Sequence, residues 1–158
     1  KRFTKTLNQY RKKETNLKLY DNCIYDTLIT NIKKSKDLTM SFLRSEKLKG
    51  KLIHGYAAST KGNTTLQYYG ITSEIIEAIA DRNPEKWGKL TAGSNIPVIS
   101  EVESRLKNPD YYFVLAWHFI DSFVQREIEF LRRGGKFIIS MPEFKIIDIK
   151  NYRNYIAS

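Results

Sequence analysis

The chain has 158 residues, enough for one domain with a proper core and too few for two comfortable ones. Its composition, 41% hydrophobic and 28% charged, is that of an ordinary globular protein and excludes the disordered and fibrous classes. The formal net charge is +10, and no run approaches the roughly 18 consecutive apolar residues of a membrane span. Cys23 is the single cysteine; one cysteine makes neither an internal disulfide nor a cysteine-based zinc site. The expectation is therefore a reducing, cytoplasmic setting, with no metal and no membrane partner.

The charge gathers at the start of the chain. Before about Lys51 the basic residues include Lys1, Arg2, Lys5, Arg11, Lys12, Lys13, Lys18, Lys33, Lys34 and Lys36, against only Glu14, Asp21, Asp26, Asp37 and Glu46, and beyond Lys51 the chain is close to neutral. Residues 1–18 have few apolar anchors and read as a basic linker or frayed arm. Such an arm attracts polyanions. It equally serves as a solvated face, or one packed on an acidic neighbour. No aromatic-interleaved RNA-binding motif accompanies the charge, so nucleic acid is disfavoured as a partner.

From Tyr20 the apolar residues Tyr20, Ile24, Leu28 and Ile32, resumed by Leu38 and Phe42, predict a helix over about 20–48, stopped by Gly50. Two helices with a break near Ser35 fit nearly as well. Leu52–Ala57 reads as a buried strand, 58–63 as loop, and Thr64–Tyr69 as a short helix closed by Gly70. The stretch 75–80 reads as a second strand or a helix-to-strand passage. Pro84 breaks the chain, and residues up to Asn95 read mostly as loop.

Ile96–Ile99 is a short strand, after which Ser100 can cap a helix to about Leu106. Tyr111–Ala116 is the clearest strand. The clearest helix follows it, with Ile120, Phe123, Val124, Ile128 and Leu131 on one face and Gly134–Gly135 as its stop. Lys136–Ser140 and Phe144–Ile149 are the last strands. Alternating strands and helices predict an α/β domain with a mostly parallel sheet flanked by helices, its core over about 52–149 and a helical arm before it.

Ligands of such sheets bind beyond the carboxyl ends of the strands. Three segments fall there. In Ala57–Asn63, small residues permit close approach, Lys61 brings charge, and Ser59 and Thr60 bring hydroxyls, a weak phosphate pattern. The order Lys61-Gly62-Asn63 is not a P-loop, and the glycine spacing is not the dinucleotide fingerprint; an ordinary strand-to-helix turn fits as well. Asp81, Arg82 and Asn83 can bind a ribose hydroxyl or an anion, or merely form a turn before Pro84. Trp117 and His118 follow the best strand, where they can stack or transfer protons, but are more simply an aromatic anchor and a capping histidine. His54 lies inside a strand and reads as structural. No metal-ligand spacing, nucleophile elbow or carboxylate pair is present, so no catalytic residue is assigned. The residues alone describe a binding domain.

These segments resemble the C-terminal domain of the sugar C-methyltransferase family. The resemblance rests on Gly55-Tyr56-Ala57-Ala58-Ser59-Thr60-Lys61-Gly62-Asn63-Thr64 and on Asp81-Arg82-Asn83-Pro84 with Lys86 and Gly88. It continues through Gly93 and Ile96-Pro97-Val98, Pro109-Asp110-Tyr111, and Gly134-Gly135-Lys136-Phe137 to Pro142-Glu143. The chain departs from the family's common residues at Ala57, where Gly is usual, at Ala92, where Pro is usual, and at Ala116-Trp117-His118, where Pro-Trp-Asn is usual.

The resemblance implies a Rossmann-like domain over 19–158, following the 1–18 arm, that helps bind a nucleotide-linked sugar or a similar phosphorylated metabolite. Ser59, Thr60, Lys61, Gly62, Asn63, Asp81, Arg82, Asn83, Lys86, Trp117 and His118 are its expected substrate-binding residues. It implies S-adenosylmethionine as the parent enzyme's cofactor, bound by a central domain that follows a cysteine-rich zinc-binding segment; the Cys-x-x-Cys pair of the one and the acidic-Gly-x-Gly turn of the other do not occur in these residues. The alternative is a non-enzymatic nucleotide- or partner-binding module with a basic arm.

Overall fold

A computed structural model describes residues 2–156. Residues 2–16 form α1 (Arg2–Asn16), a regular helix. Neither glycine nor proline interrupts the chain before Gly50, and Lys, Arg, Gln and Glu are good helix formers whatever their hydropathy. After a turn in which Lys18 takes a positive φ of 55°, Asp21 accepts the Cys23 N–H at 3.0 Å as α2 (Asn22–Leu48) begins. No break forms at Ser35. Its buried hydroxyl donates instead to the Ser140 carbonyl. Gly50, at φ 75°, ends the helical region.

The chain divides into two compact units, residues 1–34 and 35–158. The second contains a six-stranded sheet in the order β3-β2-β1-β4-β5-β6, from β1 (Ile53–Tyr56), β2 (Ala78–Asp81), β3 (Val98–Ser100), β4 (Tyr111–Val114), β5 (Lys136–Ile139) and β6 (Lys145–Ile147). All pairings are parallel except β5 with β6. The helices between strands are α3 (Thr60–Tyr69), α4 (Glu101–Leu106), α5 (Ile120–Arg126) and α6 (Ile128–Arg132).

The sheet is mostly parallel and covered on both faces, as its near-continuous apolar strands require. On one face Ile53, Ile79, Phe113 and Ile138 pack with Met40 and Leu43 of α2 and Leu66 and Tyr69 of α3. On the other, Tyr56, Tyr112, Val114 and Phe137 pack with Phe123, Val124, Phe130 and Leu131. Each such side chain, fully buried, contributes roughly 1.5–3 kcal/mol.

Two elements differ from their sequence expectation. The segment 58–63 is not all loop, because α3 starts at Thr60 once the Ser59 hydroxyl caps it. The helix after Trp117 is not continuous: it opens with a 3-10 turn over Trp117–Phe119 and breaks between α5 and α6 at Glu127, whose carboxylate is buried. The 3-10 turn Pro84–Lys86 and the last turn Tyr152–Tyr155 add short pieces outside the sheet.

His54 is wholly buried in β1, its Nδ1 2.8 Å from the Ser104 hydroxyl, as expected of a structural residue. Burial pushes its pKa from the usual 6.5 to about 4. A lowered folded-state pKa means stability is full above 6.5 and drains away as pH falls toward 4. His54 should thus cost the fold about 2 kcal/mol between pH 7.5 and pH 5. Urea denaturation checks this: the pH slope of wild type should exceed that of His54→Gln by this amount, and equal slopes would refute it.

Candidate functional site

Strand order sets the location. The chain leaves β1 toward β2 on one side, while β4 pairs with β1 on the other, so the loops after β1 and β4 diverge and open a crevice at the strands' carboxyl ends. The exit from β1 is tightly held. Ala57 takes φ 65°, with its N–H donating to the Ala80 carbonyl at 2.8 Å. A left-handed φ favours glycine, so alanine carries strain here.

Ser59 then caps α3: its Oγ accepts the Gly62 N–H at 3.0 Å and donates to the Leu115 carbonyl at 3.2 Å. A Cβ on Gly62 would lie 2.4 Å from the Leu115 Cβ, so this glycine serves close helix-on-sheet contact. The amides of Thr60 and Lys61 have no protein acceptor among the described residues, and α3 has no acid in its first turn. Both features leave a partial positive charge at the crevice.

The exit from β2 is a second fixed turn. Asp81, buried, accepts the Asn83 N–H at 2.8 Å on Oδ1 and the Lys86 ammonium at 3.1 Å on Oδ2. Lys86 also donates to the Ala58 carbonyl at 2.8 Å, which ties the β1 and β2 exits together. Asn83 accepts the Glu85 N–H at 3.0 Å and so caps the Pro84–Lys86 turn.

Two clefts flank this tie and share Ala58, Ser59 and Lys86. One, of about 480 Å³, adds Thr60, Asn63 and Thr91; the other, of about 380 Å³, adds Asp81, Arg82, Glu101, Phe119 and Arg126. The fold thus brings together Ser59, Thr60, Asn63, Asp81, Arg82 and Lys86. Asn63 Oδ1 is buried at the larger cleft and has no hydrogen-bond partner among the described residues. Lys61 is exposed at the head of α3 and lines neither cleft, nor do Gly62 and Asn83. Trp117 packs partly buried against the second core and His118 is exposed beside it; Phe119 is the ring of that turn that reaches the smaller cleft.

Sequence reasoning missed the buried ion network beneath that cleft. Glu127 accepts from Arg105 and from the Tyr56 hydroxyl, the latter at 2.8 Å. Arg105 also reaches Glu101 at 3.1 Å, and Arg126 reaches Glu101 at 2.8 Å. Burial, then the Glu127 charge, pushes the Tyr56 hydroxyl far up; the bond to Glu127 raises Arg105. One signal was available. Glu127 falls on the apolar stripe of its helix, where an acid is rare unless paired.

Both carboxylate oxygens of Asp81, the residue placed to hold a ribose hydroxyl, already serve Lys86 and the Asn83 turn. Arg82, Lys86 and Arg126 outnumber Asp81 and Glu101 around the smaller cleft, a field that suits an anion.

Ala57→Gly should relieve the left-handed strain and raise stability by up to about 1 kcal/mol. The urea midpoint reports it, and a lower midpoint would contradict the assignment.

Two comparisons show what the chain is similar to. The model of the family described as C-methyltransferase C-terminal domain matches residues 1–142. The C-methyltransferase NovU of Streptomyces niveus is 37% identical over 102 residues, covering 65% of this chain and 24% of that protein. The chain therefore spans about a quarter of the length of this curated relative.

Proposed function

Because this chain belongs to the C-methyltransferase C-terminal domain family, we propose that it binds and positions a nucleotide-linked sugar, or a similar phosphorylated metabolite, for an S-adenosylmethionine-dependent enzyme acting in the cytoplasm. The observation that carries the reading is the rim at the carboxyl ends of β1, β2 and β4, where Ser59 and Lys86 stand between two adjoining clefts, Thr60 and Asn63 line one and Arg82 lines the other, beside α3 amides that have no protein acceptor among the described residues. Donors and cations gathered at a helix start suit a diphosphate. Residues 19–158 act as one binding domain behind the 1–18 arm. The methyl donor sits in a partner domain outside these residues, in keeping with the family resemblance.

In this reading Asp81 holds Lys86 in place, and Asn83 shapes the turn that presents Arg82. Gly62 lets α3 approach the sheet. Trp117 and His118 support the turn that carries Phe119, and Lys61 adds charge beside the free amides. No helix among the described residues is long and apolar enough to cross a membrane.

A second reading, a non-enzymatic module docking partners through its basic arm, is favoured by Phe3, Leu7 and Tyr10, all exposed at helical spacing on α1. Calorimetric titration with UDP-glucose decides between them. Binding is expected, with Lys61→Ala weakening it roughly threefold to tenfold at unchanged stability. Unchanged affinity removes Lys61 from the site. No binding of UDP-glucose, with salt-sensitive binding of an oligonucleotide in its place, would move the assignment to the second reading.

A further inference from the structure

Arg126, at the end of α5, lines the smaller cleft together with Arg82 and Lys86. Its Nε donates to the Tyr56 hydroxyl at 3.1 Å and its Nη2 to Glu101 at 2.8 Å. The guanidinium also lies over two rings, 5.2 Å from the Phe123 centroid and 5.6 Å from that of Tyr56. These contacts fix its plane, yet among the described residues Nη1 meets no protein acceptor. A guanidinium carries five N–H donors in a rigid fork, so one edge of this one is left for a ligand.

The charges around it show what that edge is suited to. Arg105 and Arg126 balance Glu101 and Glu127, so the network holds Arg126 without imposing a net field. Lys86 balances Asp81. Arg82, exposed, is then the lining cation that no carboxylate partners among the described residues. An arginine fixed before binding loses little rotamer freedom when a ligand arrives, which favours affinity.

We propose that Arg82 and Arg126 form a phosphate clamp in this cleft: Arg82 draws the anion in, and Arg126 receives it on the free edge of its fork. Tyr56, Glu101, Glu127 and Arg105 are positioning residues that aim Arg126. The clamp deepens the sugar-nucleotide reading and rests on it for the source of the phosphate. The cleft's volume, about 380 Å³, lies within the range of small-molecule sites.

The test is calorimetric titration of the whole chain and two variants with UDP-glucose, inorganic pyrophosphate and uridine. Arg126→Lys keeps a cation opposite Glu101 while removing the fork, and Arg82→Gln changes only an exposed side chain. Arg126→Lys should weaken UDP-glucose roughly tenfold and Arg82→Gln roughly fivefold, with uridine indifferent to both. Pyrophosphate weakened in parallel assigns the clamp to phosphate alone; weakening of UDP-glucose only assigns it to the nucleotide-linked diphosphate. Wild-type affinity in both variants, with Lys61→Ala still weakened, overturns the clamp and leaves the broader reading intact. A wild-type chain that binds neither anion overturns both. Should Arg126→Lys lower the urea midpoint, the result with Arg82→Gln decides.

Discussion

Parallel pairing of β1 with both β2 and β4 is the constraint on which the candidate site depends. A parallel strand cannot be reached by a hairpin, so each connection crosses a face of the sheet and returns at the opposite end. The chain goes one way from β1 to β2 and β3, then comes back to place β4 on β1's other side. The two loops diverge, and a crevice opens at the carboxyl ends. Lys86 spans the first side by bonding Ala58 and Asp81 together. Ser59 spans the second by bonding Leu115. The crevice is therefore walled by groups whose positions are fixed by bonds between different strands.

Beneath one wall lies the ion network of Glu101, Arg105, Arg126 and Glu127 with Tyr56. Taking such charges out of water is costly, and an apolar filling of the same volume often gives equal stability. Stability alone gives little reason to retain it. Directional bonds, however, hold a guanidinium in a chosen plane, which apolar packing does not. The network makes sense as support for Arg126, in the way Asp81 supports Lys86.

Much of the fold was legible in the sequence because its strands are buried on both faces. Runs such as Ile53–Tyr56 and Tyr111–Val114 need no partner information to be recognised, and the Ser100 cap and the Gly50 and Gly70 stops are local chemistry. Errors arose where a local choice was decided by a distant group. Ser59 starts α3 while also bonded to Leu115, and Glu127 interrupts a helix because its carboxylate pairs with Arg105. Of the residues that line the two clefts, Ser59, Thr60, Asn63 and Arg82 could be picked out by loop position alone, and Lys86 by the family resemblance. Arg126 could not: its partners Tyr56 and Glu101 lie 70 and 25 residues away in the chain. Trp117 and His118 sat in the right loop, but a 3-10 turn brings Phe119 to the cleft in their place.

The central claim is that ligand binds at the carboxyl ends of β1, β2 and β4. Amide chemical-shift mapping of the labelled chain during a UDP-glucose titration tests it most directly. Perturbations concentrated in residues 57–63, 81–86 and 116–126 are expected. Shifts gathered instead at the opposite end of the sheet, around Asn108–Asp110 and Gly134–Gly135, or none at saturating ligand, would contradict it.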